Sequence, residues 1–299
     1  GSVLDAQYVL LSVGHSARGL YHKLHSYGVT LQTKAIAAGF RIEHPQELIN
    51  AIQYGEFGKL CNRGQGPVPV ADYSVATEVF LPSSSSSSGS SSSGGRGSVR
   101  TCYSFCMCPG GQIVPTSVNP DELCINGMSF SKRQSRWANS ALVVNINPED
   151  MVLMPEHCSL PGSTPGRVDS ISAAMGGGDL VCPVARVTDF LAGGLSGGII
   201  SSSYRLGVKE SPLHMLYPDY VNQALRRALM DFDRKMPGFI SPEAILHGVE
   251  TRTSAPVQIL RHKDTLECAS LRGLFPSGEG AGYAGGIVSA AVDGLKCAR

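Results

Sequence analysis

The feature that most constrains this chain is a cluster of glycines near its C-terminal end, set between a short apolar run and a pattern of small residues. The apolar run is Leu274–Pro276, the glycine-rich stretch is 278–286, and the small-residue pattern begins at Ile287. Glycine permits tight turns and a close approach of the backbone, and a helix that starts there directs its positive N-terminus at the approaching group. The order predicts a strand, a glycine turn and a helix that bring backbone amides to a phosphate or a cofactor ring.

The spacing Gly280-x-Gly282-x-x-Gly285 matches the dinucleotide-binding fingerprint. That fingerprint is normally followed, about 20 residues later, by an acidic residue at the end of a second strand. Only residues 286–299 follow here, so we expect the closing turn of a nucleotide-binding domain rather than its opening turn. Glu279 places a carboxylate beside the turn, where it can accept hydrogen bonds from sugar hydroxyls. The alternative is a glycine-rich loop without a ligand.

Composition excludes several classes of function. The 299 residues carry a net charge of +1 and only 16% are charged, so the chain lacks the electrostatic footprint of a nucleic-acid-binding or anionic-membrane-binding protein. No apolar run reaches the roughly 18 residues of a spanning helix, and no signal peptide is visible. Nine cysteines, an odd number without paired spacings, favour a reduced, intracellular compartment. Because the chain begins at Gly1 rather than methionine, we expect an excerpt from a longer polypeptide.

The N-terminal region predicts a parallel strand and a helix. Tyr8–Val13 is apolar apart from Ser12, as expected of a strand buried on both faces of a parallel sheet. Ser16 is the predicted N-cap of the following helix, and Gly28 is expected to end it. The predicted inner face of this helix consists of Ala17, Leu20, Tyr21, Leu24 and Tyr27.

The middle of the chain predicts a mixed sheet with one long helix. The serine- and glycine-rich tract 82–98 cannot bury enough apolar surface to offset its ordering entropy, so we expect a disordered surface insertion. Its flanks, Val75–Leu81 and Val99–Phe105, are predicted to be neighbouring strands. A helix is predicted over Pro218–Met236. Its apolar face consists of Val221, Ala224, Leu225, Ala228, Leu229 and Phe232, and the last helix of the chain is predicted to turn Ile287, Ala290, Ala291 and Leu295 inward.

Five stretches together resemble one known family. The turn Gly278–Gly286 closely resembles the C-terminal turn of a family of FAD-dependent dehydrogenases in the glutathione-reductase-like flavoprotein superfamily. The other stretches that resemble this family are Val13–Arg18, Ser104–Gly111, Asn126–Ser129 leading to Ala138–Ala141, and Gly248–Ser254. They run through nearly the whole chain outside the serine tract.

The resemblance implies FAD as the cofactor and hydride or electron transfer as the chemistry. By position, Gly278, Glu279 and Gly280 would meet the ribose, pyrophosphate or ribityl chain of FAD. Gly285, Gly286 and Ile287 would lie at the flavin ring, and Gly14 would lie where the chain turns past the cofactor. Arg252, Thr253 and Ser254 would lie on the flavin or substrate side.

Two features depart from the family. Its members normally begin with an earlier strand–GxGxxG–helix unit that binds the ADP half of FAD, and nothing before Tyr8 supplies one. In addition, the segment Cys158–Met175 should contain a helix in this family, yet its prolines and glycines argue against a long one. The residues concerned are Pro161, Gly162, Pro165 and Gly166. Both departures leave independent FAD binding open.

Several residues suggest other chemistry. Cys106 and Cys108, together with Arg252, are the candidate catalytic residues, since a thiol beside a flavin can exchange electrons; an inert buried cysteine is the commoner role. No second pair or nearby histidine completes a zinc site, so no metal site is predicted. Ser16, after Gly14, is a near miss for a nucleophile elbow, which makes an acyl hydrolase a minor alternative.

A basic cluster precedes the single tryptophan. Lys132, Arg133 and Arg136 lie just before Trp137. Cations grouped in this way either bind an anionic substrate or cofactor phosphate, or belong to a solvated loop. The residue pattern leaves both readings open.

The sequence therefore predicts an α/β (α+β overall) flavoprotein. An FAD/NAD(P)-binding-like domain would be split between residues 1–35 and 250–299, around an inserted mixed-sheet substrate domain at 36–249. The expected function is that of an FAD-dependent oxidoreductase (dehydrogenase), or its C-terminal part, acting on a small-molecule substrate, with NAD(P)H open as a partner and no nucleic acid or membrane span. The alternative is a truncated, non-catalytic relative that acts as a binding or interaction protein. The expected location is intracellular, in a plastid or the cytoplasm.

Overall fold

The structure is a computed structural model that describes residues 5–82, 97–117, 119–152 and 163–299. Its strands, in chain order, are β1 (Val9–Leu11), β2 (Leu31–Thr33), β3 (Ile36–Pro45), β4 (Ala76–Leu81), β5 (Ser98–Cys108), β6 (Gly111–Pro115), β7 (Ile125–Ser129), β8 (Trp137–Ile146), β9 (Cys182–Arg186), β10 (Val208–Glu210), β11 (Ile245–Glu250), β12 (Val257–Ile259) and β13 (Leu274–Pro276). Its α-helices are α1 (Arg18–Ser26), α2 (Gln46–Tyr54), α3 (Pro148–Val152), α4 (Ser163–Gly176), α5 (Val187–Ala192), α6 (Asp219–Lys235) and α7 (Ile287–Cys297).

The chain forms two compact units. The first comprises Gly1–Ala37, Ile146–Arg167 and Arg252–Arg299, and the second comprises Ala38–Asn145 and Val168–Thr251. The assignment of a split FAD-binding domain to 1–35 and 250–299 stays a prediction. Of the tract 82–98 that was expected to be disordered, 83–96 lie outside the described residues, whereas Ser98 is the first residue of β5.

The second unit is built on a seven-stranded sheet with the order β10-β9-β11-β3-β8-β5-β4. The sheet is mixed, because β10 runs parallel to β9 whereas β11 is antiparallel to β9 and β3, and β5 is antiparallel to β8 and β4. Its central strands are covered on both faces: β3 is buried from Ala38 to His44 and β8 from Trp137 to Val144. The mixed sheet with its helices agrees with the α+β class expected from the sequence.

Two predictions for the second unit are confirmed. The predicted strands at Val75–Leu81 and Val99–Phe105 are the antiparallel neighbours β4 and β5. The long helix α6 lies inside its predicted range and buries the predicted face, namely Val221, Ala224, Leu225, Ala228, Leu229 and Phe232. It packs on β4 and β5, where the Thr77 hydroxyl donates a hydrogen bond of 2.9 Å to Asp231.

The prediction against a long helix in Cys158–Met175 is wrong over the whole of its described part, because α4 runs from Ser163 to Gly176. Pro165 lies in the first turn of this helix, where a backbone N–H has no intrahelical partner and proline is therefore tolerated. The remainder of that prediction, on 158–162, lies outside the described residues.

The first unit contains two two-stranded sheets, with β1 parallel to β13 and β2 antiparallel to β12. Its apolar core is formed by Leu24, Val29, Ile259, Cys268, Leu274 and Ala281. The expectation that β1 is buried on both faces is wrong, since Val9 and Leu10 are 46% and 49% exposed. The reason is that β1 has only β13 beside it in its sheet, so the described residues leave its side chains open to solvent.

The helix α1 begins later than predicted. It starts at Arg18 with Ala17 at the N-cap and without a side-chain cap, so the predicted cap at Ser16 is wrong. The Ser16 carbonyl instead accepts the Arg18 N–H in a turn, at 2.9 Å. Tyr21 and Leu24 are buried as predicted. Tyr27 follows the last helical residue and is 68% exposed, because the chain has already turned toward Gly28.

Candidate functional site

The predicted strand–turn–helix order is present, with the turn 277–286 between β13 and α7. Gly278 and Gly282 have φ values of +76° and +85°, in the left-handed region that glycine adopts without strain. The turn closes on itself, because the Gly282 N–H donates to the Glu279 carbonyl at 3.0 Å and the Tyr283 N–H donates to the Gly278 carbonyl at 3.1 Å. Glycine is therefore required here by the backbone itself.

Two predicted cofactor residues, Gly14 and Gly280, lie against each other. A Cβ atom on Gly280 would lie 2.3 Å from the Gly14 carbonyl oxygen, so any side chain there would displace the turn that follows β1. The Tyr21 hydroxyl, from α1, also donates to the Gly280 carbonyl at 2.8 Å. Burial and, to a lesser extent, the charge of Glu279 raise the pKa of Tyr21 to about 12, which keeps this donor protonated.

Glu279 offers a carboxylate at the surface of the turn. Its Oε1 lies 2.9 Å from Nδ1 of His15, and the two side chains are 26% and 22% exposed. Nearby, the Lys34 ammonium donates to the Gly282 carbonyl at 2.9 Å. Burial lowers the pKa of Lys34, while the charge of Glu279 acts in the opposite direction. The Glu279 carboxylate is thus held by His15 yet remains accessible as a hydrogen-bond acceptor.

An aspartate on α7 fastens the turn from the inside, and the sequence analysis missed it. Asp293 accepts the Gly278 N–H at 2.8 Å and pairs with both terminal nitrogens of Arg261, at 2.6 and 3.0 Å. Burial by itself would raise the pKa of Asp293, but the hydrogen bonds from Arg261 and the Gly278 amide outweigh it and lower the pKa. The Arg261 guanidinium also lies 3.6 Å from the centre of the Tyr283 ring. The Gly278 N–H is therefore already paired within the protein.

The inward face of α7 differs from the prediction. Ile287 and Leu295 were expected inside and are 91% and 67% exposed, and Ala291 is exposed as well. The residues that turn inward are Ala290, Asp293, Gly294 and Cys297. Ala290 is thus the only predicted member of the face that is even partly buried. Asp293, which pairs with Arg261, thus lies on the inward side of α7, and Ile287 and Leu295 lie on the outward side.

The backbone where α7 begins is open to a ligand. A Cβ atom on Gly285 would meet nothing within 4 Å, and one on Gly286 would meet only the Ser289 hydroxyl at 3.9 Å. Ser289 accepts the Gly285 N–H at 3.3 Å and donates to the Gly286 carbonyl at 2.9 Å, which fixes the start of the helix. Amides in a first helical turn lack intrahelical partners and carry partial positive charge. This opening can receive an anionic group or a ring carbonyl.

The arrangement fits the cofactor that the sequence resemblance implies. Sugar hydroxyls need an exposed acceptor, which Glu279 supplies, and a pyrophosphate or a pyrimidine edge needs backbone donors without side chains in front of them. The open space at Gly285 and Gly286 meets the second requirement. A Cβ atom on Gly14 would likewise meet nothing within 4 Å.

The cysteine pair lies in the second unit and is tied to a buried ion pair. Cys108 is buried, whereas Cys106 is exposed at a bulge of β5 and has a φ of +46°. Nη2 of Arg41 donates to the Cys106 carbonyl at 2.7 Å and lies 3.4 Å from the Cys108 sulfur. Arg41 pairs with Glu250 at 3.0 Å, both side chains being at most 1% exposed. The Arg41–Glu250 ion pair thus helps to shape the backbone at the two cysteines. A catalytic role for either cysteine stays a prediction.

Sequence reasoning also missed Arg41 and Glu250. The residues lie on β3 and β11, which are neighbours in the sheet although far apart in sequence. Burial raises the pKa of Glu250, and the charge and hydrogen bond of Arg41 counteract that rise. Asn139 and Asn126 accept further hydrogen bonds from Arg41, at 2.7 and 3.1 Å. A charged residue inside the apolar run of β3 was the one local signal of this network.

Arg252, the third candidate catalytic residue, lies in the first unit, as the glycine turn does. Its side chain is only 8% exposed. The next residue, Thr253, is held by a hydrogen bond of 2.7 Å from its hydroxyl to the Ala37 carbonyl. Its predicted place beside a flavin or substrate stays a prediction.

Metal sites and membrane-spanning helices are both absent from the residues that the structure describes. No group of three or more His, Cys, Asp or Glu side chains in that part of the chain is arranged to hold a metal ion. Within the same residues, no helix combines the length and the apolar character needed to cross a membrane.

Comparison with known proteins gives two matches. A family model described as "FAD-dependent protein, C-terminal domain-like" matches residues 35–253. An uncharacterized protein of Clostridium beijerinckii (strain ATCC 51743 / NCIMB 8052) is 40% identical over 308 residues, which cover 100% of this chain and 52% of that protein. The chain thus spans about half the length of this relative. The family match contains the whole of the second unit and ends before the glycine turn.

Proposed function

Because the chain belongs to the FAD-dependent protein family, in its C-terminal domain-like part, we propose that it is the flavin- and substrate-binding part of an FAD-dependent oxidoreductase. FAD, when bound, supplies the acceptance and return of an electron pair. The chain's own residues hold and orient the cofactor. The conclusion rests on the family match over 35–253 and on the open backbone at the start of α7.

The proposed cofactor contacts divide between two kinds of residue. Glu279 accepts hydrogen bonds from the ribityl or ribose hydroxyls, because its carboxylate is partly exposed and oriented by His15. The amides of Gly286 and Ile287 face the anionic or carbonyl edge of the cofactor, because a Cβ atom on Gly285 or Gly286 would meet no described atom closer than 3.9 Å.

Gly278 and Gly280 have a supporting role in this proposal. The N–H of Gly278 is paired with Asp293, and the missing side chain of Gly280 makes room for Gly14. They shape the turn that presents Glu279. Arg252, which lies in the same unit as the turn, remains the proposed group for substrate contact.

A matched pair of glycine substitutions tests the cofactor site. Gly285→Val places a side chain where a Cβ meets nothing within 4 Å, and Gly194→Val does the same in the second unit. Neither glycine has the left-handed φ that would strain a side chain. We expect Gly285→Val to raise the Kd for FAD by about tenfold or more, which corresponds to about 1.4 kcal/mol. Gly194→Val should leave the Kd unchanged.

The titration follows the quenching of flavin fluorescence, with thermal unfolding as the check that both variants are folded. Equal FAD affinity in wild type and in Gly285→Val would place the cofactor elsewhere. Equal weakening in both variants would show a general loss of structure rather than a blocked site.

A second candidate function is favoured by the apolar surface of the first unit. Val288 on α7 is 77% exposed. Ile287 and Leu295 of the same helix are also exposed, and so are Val9 and Leu10 of β1. Large exposed apolar surfaces are typical of interaction sites. On this alternative the chain is a non-catalytic relative that acts through a partner. Lack of FAD binding both by this chain and by an N-terminally extended form would favour it.

A further inference from the structure

A cleft of 610 Å³ opens in the second unit between two segments, 130–137 and 202–205. Its volume falls in the range of about 300–1,000 Å³ that is typical of pockets for small ligands. The first segment is the loop between β7 and β8, which carries the basic cluster noted in the sequence. The second segment precedes β10.

The charge of the cleft favours an anion. Lys132, Arg136 and Arg205 all line it, and the described lining includes no Asp or Glu. Arginine presents a planar fork of N–H donors that matches carboxylate and phosphate oxygens, and lysine adds a flexible point charge. Three cations that face one opening without a carboxylate among them therefore select an oxyanion.

The loop that carries two of these cations is held in place. The Arg133 N–H donates to the Phe130 carbonyl at 2.9 Å, and the Ser135 N–H donates to the Gly110 carbonyl at 3.2 Å. The Arg136 carbonyl accepts the Gln46 N–H at 2.8 Å. A Cβ on Gly110 would lie 1.9 Å from the Arg133 carbonyl oxygen, so this loop packs directly on the backbone. A fixed loop loses little entropy when a ligand binds.

The opposite wall is equally fixed. The Ser203 N–H donates to Glu43 at 3.0 Å, and the Ser203 hydroxyl donates to the same carboxyl group. The Ser202 hydroxyl lies 2.7 Å from Nε2 of His247, and the Tyr204 hydroxyl donates to the Leu180 carbonyl at 2.6 Å. Burial lowers the pKa of His247 to about 4, so this ring is neutral near pH 7.

Glu43 lies behind this wall and is fully buried. Burial raises its pKa, although its hydrogen bonds with Ser203 act in the opposite direction. Both of its oxygens are occupied by Ser203. Ser203 therefore lines the cleft, and the Glu43 carboxyl group behind it does not.

The cleft also has an apolar side. Phe130 is 44% exposed, and Trp137 is 7% exposed with the Arg136 guanidinium 4.6 Å from its ring centre. Stacking by its face leaves the N–H donors of a guanidinium, which lie in its plane, able to bind an oxyanion. A flat apolar group fits against Phe130.

We propose that this cleft binds a small organic anion, with a carboxylate or phosphate held by Lys132, Arg136 and Arg205 and a flat apolar portion against Phe130. The identification of this anion as the substrate rests on the proposed oxidoreductase function. The binding of the anion to the cleft does not depend on that function. The cleft lies within the substrate domain that the sequence predicts, and a small organic anion is the class of ligand that it would bind.

The single tryptophan of the chain, Trp137, lines the cleft, so its fluorescence reports binding there directly. The full chain is titrated with phenylacetate and phenyl phosphate, with neutral phenylacetamide and with inorganic phosphate. We expect saturable changes with the organic anions at Kd values of about 1 mM or below. The neutral amide and inorganic phosphate should each bind at least about tenfold more weakly, the first for lack of charge and the second for lack of an apolar group.

Two variants localise the binding. Arg205→Gln should raise the Kd for both organic anions by about tenfold, whereas Lys59→Gln, an exposed cation of the same unit outside the lining, should not change it. Lack of any fluorescence change with either organic anion overturns the proposal. Binding of inorganic phosphate as tight as that of the organic anions overturns the proposed apolar contact with Phe130. An equal effect of both variants on the Kd overturns the placement of the anion in this cleft.

FAD occupancy is read by absorbance in the same samples, which separates this inference from the proposed function. Anion binding without flavin binding would keep the cleft and contradict the oxidoreductase. Flavin binding without anion binding would contradict the anion-binding cleft and leave the proposed oxidoreductase function intact.

Discussion

Replacement of Asp293 by asparagine tests how the glycine turn is held, because this side chain joins α7 to the turn. Its carboxylate accepts two hydrogen bonds from Arg261, at 2.6 and 3.0 Å, and one from the Gly278 N–H at 2.8 Å. Asp293→Asn keeps the shape of the side chain and removes its negative charge. It also places an amide NH₂ group, itself a donor, against the donors of Arg261 or Gly278. Hydrogen bonds to charged groups contribute about 1.5–3 kcal/mol each. We therefore expect the free energy of unfolding to fall by about 2–3 kcal/mol.

The assay is thermal unfolding followed by circular dichroism. A loss of about 2 kcal/mol lowers the Tm by about 4–8 °C in domains of about 150–250 residues and by about 8–16 °C in domains of about 60–100 residues, so we expect a loss of at least about 4 °C. The control is Asp264→Asn, an exposed aspartate of the same unit, which should leave the Tm within about 1 °C because surface substitutions change stability by about 0.5 kcal/mol or less. Equal Tm values for Asp293→Asn and the control would refute the role of Asp293.

The pH dependence gives a second test of the same side chain. Because the folded-state pKa of Asp293 lies below its usual value of 3.8, its stabilisation is fully present above that value. It is lost as the pH falls through the lower, folded-state pKa. The difference in Tm between wild type and Asp293→Asn should therefore be constant from pH 7 to about pH 5 and shrink in more acidic solution. A difference that grows on acidification would contradict this assignment.

Two further predictions concern a glycine and a cysteine of the candidate site. Gly280→Ala should lower the Tm by at least about 2 °C, because its Cβ would lie 2.3 Å from the Gly14 carbonyl oxygen and overpacking costs about 1–3 kcal/mol. Gly19→Ala, in α1 with open space around it, should not lower the Tm, and equal Tm losses in the two variants would contradict the close approach. Brief alkylation followed by peptide mapping should label Cys106 before the other described cysteines, because it is exposed, while burial raises the pKa of Cys102 to about 12 and that of Cys124 to about 11. Earlier labelling of Cys102 or Cys108 would contradict this account.

Local patterns predicted the elements of the fold well. The apolar spacing of α6 identified its buried face, and the strands beside the serine tract are paired as expected. The strand–glycine turn–helix order was likewise readable, because it depends on residue types that are adjacent in sequence. These are properties of single segments.

The contacts that hold the site depend on pairs that are distant in sequence. Asp293 pairs with Arg261, and Arg41 pairs with Glu250 from another strand. Apolar spacing predicted that α7 turns Ile287 and Leu295 inward, but both are exposed, and the buried residue of this helix is Asp293. A buried charge gives no periodic signal, so its partner becomes visible only when the strands and helices are placed together.

The exposure of β1 was missed for a related reason. An apolar run such as Tyr8–Val13 predicts burial but does not say which layer covers it. Within the described residues Val9 and Leu10 remain open. The sequence also did not reveal that Gly14 and Gly280 touch, because that contact joins two turns from opposite ends of the chain.

The most direct test of the central claim is the visible absorbance spectrum of the purified chain after incubation with FAD and desalting. We predict flavin bands in the wild-type chain and in Gly194→Val, and much weaker bands in Gly285→Val, because the start of α7 receives the cofactor through open backbone. Bands of equal strength in all three would contradict the site. No bands in any of them would contradict flavin binding by this chain.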